Sequence, residues 1–527
     1  MRKINQVHTD VKINHRLIYF IAFILLAISI PLSRFGMSVA QFLLIGNWLL
    51  EGNLNEKVKK FFHNKAALAL ASLYLLHIAG LLYTGDFQYA AKDLRIKLPL
   101  IIFPLVLSTI EPVSRKQLYV ILKVFVGAVL AGTFISVGIY FVKEIKDFRE
   151  ISPFISHIRF SLNTVLAIFV TVYTAVKVYR QNLKMIIISA VAVVWMMMFL
   201  FIIESVTGIF IILFASFTIG LIEVFKNRNI YYKLTLSLLL VIVPLFLFFY
   251  VHDVAKSYLT PNRQDLQHIE KFTVNGNRYS NDTVNMPVEN GSYIGLYICN
   301  KELKKEWQKK SEFDFNGKDI KGQPLAYTLY RYLNSKGLRK DSAGLSKLTR
   351  EDIRAVELGI ANYHYTKKFS LNTRLYKLLW GYDNYLRGGN PSGHSLLQRF
   401  EFWKAGVGIV KSNFWIGVGT GDISRAFYRQ YENSGTRLTK ELWVNRTHNQ
   451  YLTIFATFGL IGFIWFLFTL FYPPFKMRKY GDYLFLAFFI TMLLSMLMED
   501  TLETQAGVTL FAFPFSFLLF MINGSED

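Results

Sequence analysis

Long apolar runs separated by short polar connections make up most of the chain. Most runs are roughly 17 to 25 residues long and almost free of charge, which is the length of helix that crosses the ~30 Å hydrocarbon core of a bilayer. About twelve transmembrane helices are predicted in this way, at residues 17–33, 36–50, 66–84, 98–111, 118–142, 159–177, 185–203, 205–225, 234–251, 449–472, 483–498 and 505–523. The pattern therefore indicates an all-α polytopic membrane protein.

One long polar segment interrupts the pattern and divides the chain into three parts. We predict an N-terminal transmembrane region at 1–251 with about nine helices, a large loop at 252–448, and a C-terminal transmembrane region at 449–527 with about three helices. The basic segment before the first apolar run is expected to stay attached as part of a retained first helix, because no small-residue cleavage site follows it.

The large loop is predicted to be a compact mixed α/β cap, because every apolar stretch within it is short. Alternating residues and Asn-Gly turns predict short strands at 272–298. Helices are predicted at 325–335, 349–359, 371–386 and 395–411. Thr349 and Asp352, at the start of the second of these, have the spacing of a capping box.

Composition and charge support the membrane class and set an orientation. Of the 527 residues, 53% are hydrophobic and 18% are charged, whereas about a quarter are charged in a typical soluble protein. The formal net charge of +23 is typical of basic cytoplasmic loops, so nucleic-acid binding is not expected. An N-terminus in the cytoplasm places most basic connections inside and the loop 252–448 outside, where its own positive charge can meet lipid headgroups or phosphates.

The stretch with the most specific pattern is VNRTHNQYLTIFATFGLIG at 444–462. His448 lies where the loop re-enters the membrane, and Asn449, nine further residues, Gly459, two residues and Gly462 follow. The two glycines share nearly one helix face, which favours the close approach of a neighbouring helix. A histidine at a membrane boundary is either a polar anchor or, when half-buried, a base near neutral pH.

Two arginines are candidates for holding a phosphate group. Arg399 begins the segment RFEFWKAG at 399–406, and a guanidinium at a membrane boundary can grip a diphosphate with two charge-assisted hydrogen bonds. The alternative for Arg399 is a snorkelling interfacial side chain. Arg159 starts a span on the outer side, where a charge is costly unless it is paired or functional.

Further polar residues at outer helix ends are weaker candidates. Arg446 and Lys97 are expected to contact phosphate or, in the case of Lys97, to anchor its helix. Glu499 and Asp500, with Glu503 nearby, are expected to orient arginines or to bind the acceptor sugar; the alternative is a solvated turn. No metal site is predicted, since the single cysteine, Cys299, and its neighbours lack the spacing of metal ligands.

The signature at His448 resembles that of the O-antigen ligase family, which shares its fold with O-antigen polymerases and bacterial protein O-oligosaccharyltransferases. The segments 399–406, 417–422 (GVGTGD) and 499–507 (EDTLETQAG) extend the resemblance over about 130 C-terminal residues. The first 250 residues are similar to the family in hydropathy and topology only. The middle of the loop, at about 270–390, is not assigned.

The resemblance implies a fold of the GT-C glycosyltransferase type and a glycan donor on undecaprenyl diphosphate. The implied acceptor is a hydroxyl of the lipid A core, of a growing glycan or of a protein. The arginine and histidine that are essential in the family correspond to Arg399 and His448, and no cofactor is implied. We predict these two residues as catalytic, and Arg159, Arg446, Lys97, Asn449, Glu499 and Asp500 as substrate-binding.

One segment departs from the family pattern. Many relatives carry an arginine beside the serine that opens a middle span, whereas this chain has Glu-Ser-Val-Thr-Gly at 204–208. The phosphate contact supplied there in relatives is therefore expected to be missing or to be made by Arg159.

The predicted reaction is one inverting, metal-independent displacement at an anomeric carbon in the bacterial inner membrane, with the active site on the periplasmic side. His448 would be the base, and Arg399 and Arg159 would hold the diphosphate. A transporter or flippase for lipid-linked glycans is the alternative from another class. A transporter should show paired hydropathy repeats and charges in the middle of its spans. The notable charges lie instead at outer helix ends, which favours an enzyme.

Overall fold

The computed structural model describes residues 13–142, 148–226, 229–260, 269–366 and 371–522. The basic segment at 1–12 and the predicted end of the last span at residue 523 lie outside these ranges. The chain divides into two compact units: Met1–Arg228 together with Gln398–Asp527, and Asn229–Leu397. The three-part division expected from the sequence stays a prediction.

In the described residues of the first unit, the regular secondary structure is entirely helical. Its helices are α1 (His15–Leu32), α2 (Arg34–Leu50), α3 (Leu54–His63), α4 (Lys65–Ala79), α5 (Phe87–Lys97), α6 (Pro99–Leu107), α7 (Arg115–Val142), α8 (His157–Lys177), α9 (Leu183–Ile202), α10 (Val206–Lys226), most of α17 (Ser395–Ser412), α18 (Ile423–Asn433), α19 (Gln450–Lys476), α20 (Tyr483–Met498) and α21 (Gln505–Phe520). Short 3-10 turns lie at Gly80–Tyr83, Phe148–Ile151, Lys440–Leu442, Lys479–Gly481 and Thr501–Glu503.

Within the described ranges, eight helices are long and apolar enough to cross a membrane, namely His15–Leu32, Lys65–Tyr83, Arg115–Val142, His157–Lys177, Leu183–Ile202, Val206–Lys226, Ile230–Leu259 and Gln450–Lys476. Tyr483–Met498 and Gln505–Phe520 are shorter apolar helices. This confirms an all-α polytopic membrane protein. The exact number of about twelve spans stays a prediction, as does the likeness to the GT-C type.

The helix α21 lies in the core of the first unit. Its phenylalanines pack on both sides: the ring centroid of Phe513 is 5.4 Å from that of Phe103, and Phe515 is 5.6 Å from Phe485. Dense packing of this kind holds membrane helices together where water no longer drives their association. Because α20 and α21 are both largely buried, the turn that joins them at 499–504 is held at both ends.

The helix α19 is broken at Gly459, which has φ 64° and ψ −167°. Its backbone comes so close to residues 414–419 that a Cβ at Gly459 would lie 2.3 Å from the backbone nitrogen of Ile416. The sequence pattern predicted instead that Gly459 and Gly462 admit a neighbouring helix along one face. In the structure, glycine is required at position 459 for another reason: its positive φ and the close backbone contact both require a residue without a side chain.

Backbone groups freed by this break find partners in the loop after α17. The N–H of Leu460 donates to the carbonyl of Phe414 at 2.7 Å, and the N–H of Ile461 donates to that of Trp415 at 3.3 Å. In the other direction, the N–H groups of Val418 and Gly419 donate to the carbonyls of residues 456 and 457. Irregular backbone inside a membrane is tolerated where protein groups pair with it in this way.

The second unit combines one apolar helix with a small polar fold. It contains α11 (Ile230–Leu259), the antiparallel strands β1 (Val288–Glu289) and β2 (Ser292–Tyr293), and then α12 (Asn300–Trp307), α13 (Leu325–Ser335), α14 (Ser342–Ser346), α15 (Arg350–Glu357) and α16 (Leu371–Leu386), with a 3-10 turn at Tyr363–Thr366. The helices predicted at 325–335 and 371–386 are confirmed, and Thr349 and Asp352 form the predicted capping box. The strands are shorter than the pattern at 272–298 indicated.

A buried ion pair organises the second unit. Arg331 donates to both carboxylate oxygens of Glu289, at 2.8 and 3.1 Å, and its guanidinium lies 3.4 Å from the centre of the Trp380 ring. Asn362 and Tyr258 also donate to Glu289. These donors replace the hydrogen bonds to water that the buried carboxylate has lost.

Candidate active site

Three chain segments of the first unit bring the predicted site residues together. Arg399 lies on α17, His448 lies just before α19, and Glu499 and Asp500 form the turn between α20 and α21. Glu499 joins the other two segments: Arg399 Nη2 donates to its Oε1 at 2.8 Å, and His448 Nδ1 lies 3.3 Å from its Oε2. We call Arg399, His448, Glu499 and Asp500 the histidine cluster.

The backbone of His448 has an uncommon conformation that points its side chain at Glu499. Its φ is 49°, a left-handed value that histidine adopts more often than most residues but that still carries some strain. Asp500 stabilises this conformation, because its Oδ2 accepts the N–H of His448 at 2.9 Å. Thr453 Oγ1 donates to the other oxygen of Asp500 at 2.7 Å and fixes the carboxylate in turn.

The pKa values of the two carboxylates of the turn, Glu499 and Asp500, are shifted in opposite directions. Burial raises the pKa of Glu499, but His448 and Arg399 favour the charged form more strongly and hold that pKa below its usual range. Burial also raises the pKa of Asp500, and the nearby charge of Glu503 adds to this increase. Glu499 is therefore the charged partner of the histidine, while Asp500 acts mainly as an acceptor for the backbone.

The imidazole of His448 is a stronger base than an ordinary histidine. Burial lowers the pKa of His448, but the hydrogen bond and charge of Glu499 and the charge of Asp500 raise it more, against a smaller opposite effect of Arg399. The net pKa is above the usual value. With Nδ1 held by Glu499, Nε2 is the ring nitrogen left to accept a proton from a substrate.

Arg159 occupies the first turn of α8 beside the same turn of carboxylates. Its Nη1 donates to Ser156 Oγ at 3.0 Å, and its charge interacts with those of Glu499 and Asp500. A Cβ added at Gly507 would lie 3.2 Å from Arg159 Nε. The small residue at the start of α21 therefore makes room for the guanidinium.

The segment at 204–208, which departs from the family pattern, packs against α8. A Cβ at Gly208 would lie 3.1 Å from the Cβ of Ser161, two residues beyond Arg159. Ser205 Oγ accepts the N–H of Gly208 at 3.0 Å and closes the turn.

Lys97 and Arg446 lie in a second group of charges, the buried network, which also contains Asp93 and Glu503. Lys97 Nζ lies 2.6 Å from Asp93 Oδ1 and 2.9 Å from Glu503 Oε2. Arg446 pairs with Glu503 and lies 3.8 Å from Asp93. The side chain of Lys97 is only 1% exposed. Two positive and two negative charges thus neutralise each other away from water.

Neighbouring polar groups complete the buried network. Arg446 Nη2 donates a hydrogen bond to the hydroxyl oxygen of Tyr89. Gln450 Nε2 donates to Glu503 Oε1 at 3.0 Å, and Gln450 Oε1 accepts the N–H of Leu502. Burial and the adjacent cations act in opposite directions on the pKa of Glu503, and the cations hold it far below its usual range. Whether Lys97 or Arg446 also contacts substrate stays a prediction.

Asn449 has a local structural role. Its side-chain oxygen accepts the N–H of Leu452 at 3.1 Å and so caps the N-terminus of α19. This cap fixes the start of the helix directly after His448. A contact of Asn449 with substrate stays a prediction.

Several residues that support these clusters were not predicted from the sequence. Asp93 could have been found from its spacing of four residues from Lys97 on α5, which is typical of a helical ion pair. Gln450 and Thr453 carried no local signal, because their importance depends on the turn at 499–504, some fifty residues later in the chain. Among the described residues, no group of three or more His, Cys, Asp and Glu side chains could hold a metal ion.

Comparison with known proteins gives one match to a family. No curated protein matches the chain. Residues 357–467 match the family model described as O-Antigen ligase, and this range includes Arg399, Arg446, His448 and Asn449. The match indicates, in general terms, a glycosyltransferase-like ligase activity on lipid-linked glycans in a multi-pass membrane protein. It confirms the resemblance of this chain to the O-antigen ligase family that the signature at His448 indicated.

Proposed function

We propose that this protein transfers a glycan from undecaprenyl diphosphate to a hydroxyl of an acceptor at the periplasmic face of the bacterial inner membrane. The main support is the histidine cluster, in which Glu499 links His448 to Arg399 at the N-terminal end of α19. A base and a cation in this proximity fit a reaction that removes a proton from a hydroxyl while a diphosphate leaves.

In the proposed reaction, His448 Nε2 accepts the proton of the acceptor hydroxyl. The hydroxyl oxygen forms a bond to the anomeric carbon, and the bond from that carbon to the diphosphate oxygen breaks with its electron pair going to the diphosphate. A single displacement of this kind inverts the anomeric configuration. Glu499 keeps Nδ1 protonated and stabilises the imidazolium that forms, as the carboxylate does in other histidine-base enzymes.

Arg399 and Arg159 are proposed to stabilise the negative charge that grows on the leaving diphosphate. Arg399 uses one guanidinium nitrogen for Glu499, and a guanidinium has five N–H donors, so it can bind a phosphate oxygen at the same time. Charges that are fixed before the reaction stabilise a transition state without reorganisation. The interaction of the Arg159 charge with Glu499 and Asp500 supports the idea that it replaces the arginine that many relatives carry at 204–208.

Alternative acceptors belong to the same chemistry. The lipid A core, a growing polysaccharide and a Ser or Thr hydroxyl of a protein would all present their oxygen to His448 in the same way. The ligase is proposed first because the matched family model carries that description. A flippase for lipid-linked glycans is less well supported, since the charges described here lie at helix ends.

Two experiments test this proposal. The purified protein, incubated in vesicles with a synthetic undecaprenyl-diphosphate glycan and lipid A core, should form the glycosylated core and release undecaprenyl diphosphate. Deletion of the gene in its host should remove long-chain lipopolysaccharide and cause the donor to accumulate. Lipopolysaccharide reduced to one repeat would indicate a polymerase, and loss of glycoproteins would indicate a protein acceptor. Donor moved across the vesicle bilayer without transfer would overturn the enzyme in favour of a flippase.

A further inference from the structure

The loop after α17 has an exposed apolar edge formed by Phe414, Trp415 and Ile416. Trp415 is 64% exposed and Ile416 is 53% exposed. Three consecutive large apolar residues in contact with water are unfavourable unless another apolar medium covers them. The adjacent surface of α19 is similar, with Ile461 63% exposed.

The depth of this edge follows from its backbone pairing with α19. Phe475 is the last apolar residue of α19 before Lys476, and about 20 residues of helix cover the ~30 Å hydrocarbon core. Ile461 and Leu460, whose N–H groups pair with Trp415 and Phe414, lie 14 and 15 residues before Phe475 in the unbroken part of α19, or ~21–23 Å at 1.5 Å per residue. They therefore lie roughly 8 Å inside the other boundary of the core.

The helix α17 leads down to this depth from the histidine cluster. Arg399 is near its start, and Gly406 lies against the segment just before α19, where an added Cβ would be 2.5 Å from Thr447. Phe400 and Val407 are exposed on the helix at a spacing of seven residues, so they share one face. Phe414, also exposed, follows in the turn after the helix.

Lys411 is exposed on the same side of α17, about one turn before Phe414. A lysine at this level places its stem along the apolar chains and extends its ammonium group to the headgroups. A single lysine near the edge of the core is therefore compatible with insertion of the residues that follow it.

We propose that residues 413–419 form a re-entrant segment whose apolar edge is inserted among the acyl chains of the bilayer beside α19. The lipid-facing surface of α19 continues directly into this edge, which identifies lipid as its partner. Insertion fixes the height of α17, and with it Arg399, relative to the membrane surface. This inference rests on packing and depth and does not depend on the proposed reaction.

Spin labels at single cysteines in the full-length protein test the depth directly. In a Cys299→Ala background, Trp415→Cys and Ile416→Cys place labels on the edge, Ile461→Cys is the lipid-facing reference, and Glu432→Cys on α18 is the control exposed to water. The protein is reconstituted in vesicles of zwitterionic and anionic phospholipids. Collisions of each label with oxygen, which concentrates in lipid, are compared with collisions with a water-soluble nickel chelate.

Labels at residues 415 and 416 should collide more with oxygen than with nickel, as the label at 461 does, and the label at 432 should show the reverse. A label at 415 or 416 as accessible to nickel as that at 432 would overturn the inserted edge. Low accessibility to both reagents would mean that protein covers the edge, which also contradicts the proposal. Two neighbouring positions are labelled so that, if one cysteine variant does not fold, the label at the other still measures the depth of the edge.

Discussion

The histidine cluster and the buried network are two groups of charges on the same turn, yet their surroundings differ. In the buried network, each carboxylate meets a lysine or an arginine, and the side chain of Lys97 is almost completely enclosed. In the histidine cluster, the side chain of His448 is 34% exposed and its Nε2 is left for a partner. The comparison separates charges that hold the turn in place from charges that remain able to react.

Removal of Glu503 should have the largest effect on stability. Glu503→Ala leaves Lys97 and Arg446 with one carboxylate between them in a buried site, and the loss of one partner from such a pair costs about 3–5 kcal/mol. The free energy of unfolding in mixed detergent micelles measures this loss. Glu111→Ala, which removes the carboxylate of an exposed pair with Arg16 in the same unit, should cost about 0–1 kcal/mol. Equal losses of unfolding free energy in the two variants would contradict the stabilising role of the buried network.

His448→Ala should have the largest effect on turnover with little effect on stability. A positioned general base contributes about 100-fold or more to the rate, and the side chain is not part of the buried network. Donor should still bind, because the arginines remain. Turnover at saturating donor and donor affinity, measured on the same folded protein, separate these effects. Normal turnover with lost donor binding would reassign His448 to phosphate binding.

Arg399→Ala should weaken both donor binding and turnover. Each charge-assisted hydrogen bond that is lost contributes about 1.5–3 kcal/mol, or roughly 10- to 100-fold. Arg399→Lys keeps the charge but not the planar fork, so it should recover only part of the loss. Arg425→Ala, on the exposed side of α18, is the matched control and should leave both quantities unchanged. A full recovery by lysine would argue against two-point contact with the diphosphate.

Glu499→Gln should shift the pH profile of turnover. The wild-type rate is expected to fall as the pH drops through the raised pKa of His448, because only neutral imidazole accepts a proton. Glutamine removes the charge that raises this pKa, so the acidic limb should move to lower pH, while the plateau falls as the imidazole loses its orientation. Turnover measured across the pH range gives both changes. An acidic limb that stays in place would show that another group controls it.

The smallest expected effect is that of a chelator. If arginines neutralise the leaving diphosphate, EDTA should leave transfer by the purified protein nearly unchanged. The rate of product formation before and after chelation is the measurement. Complete loss of activity that magnesium or manganese restores would replace the arginine mechanism with a metal-dependent one.

The features that depend on local sequence patterns were predicted from the sequence. Apolar length identified the eight helices that are long enough to cross a membrane in the described part of the chain, and the spacing of Thr349 and Asp352 identified a helix start that the structure confirms. The hydrogen bonds of Glu499 to Arg399 and His448 fit the expectation that acidic residues of the turn orient arginines. Catalysis by Arg399 and His448 stays a prediction until the variants are measured.

Features that depend on distant parts of the chain were not predictable in this way. The break at Gly459 exists because residues 414–419, some forty positions earlier, supply backbone partners for α19. Nothing in the local sequence distinguishes this glycine from one that admits a neighbouring helix. The pairing of Lys97 with Glu503 joins residues four hundred positions apart, so the sequence left Lys97 as a possible phosphate contact.

The broken helix also has a consequence for the order of biosynthesis. A ribosome makes residues 414–419 before it makes 456–461, so the backbone partners of the break exist when α19 first leaves the translation machinery. If that order were reversed, by circular permutation for example, α19 would enter the lipid either as a continuous helix or with freed backbone groups, each costing several kcal/mol in hydrocarbon. The order of these two segments along the chain thus makes the backbone partners of the break available before the helix that needs them.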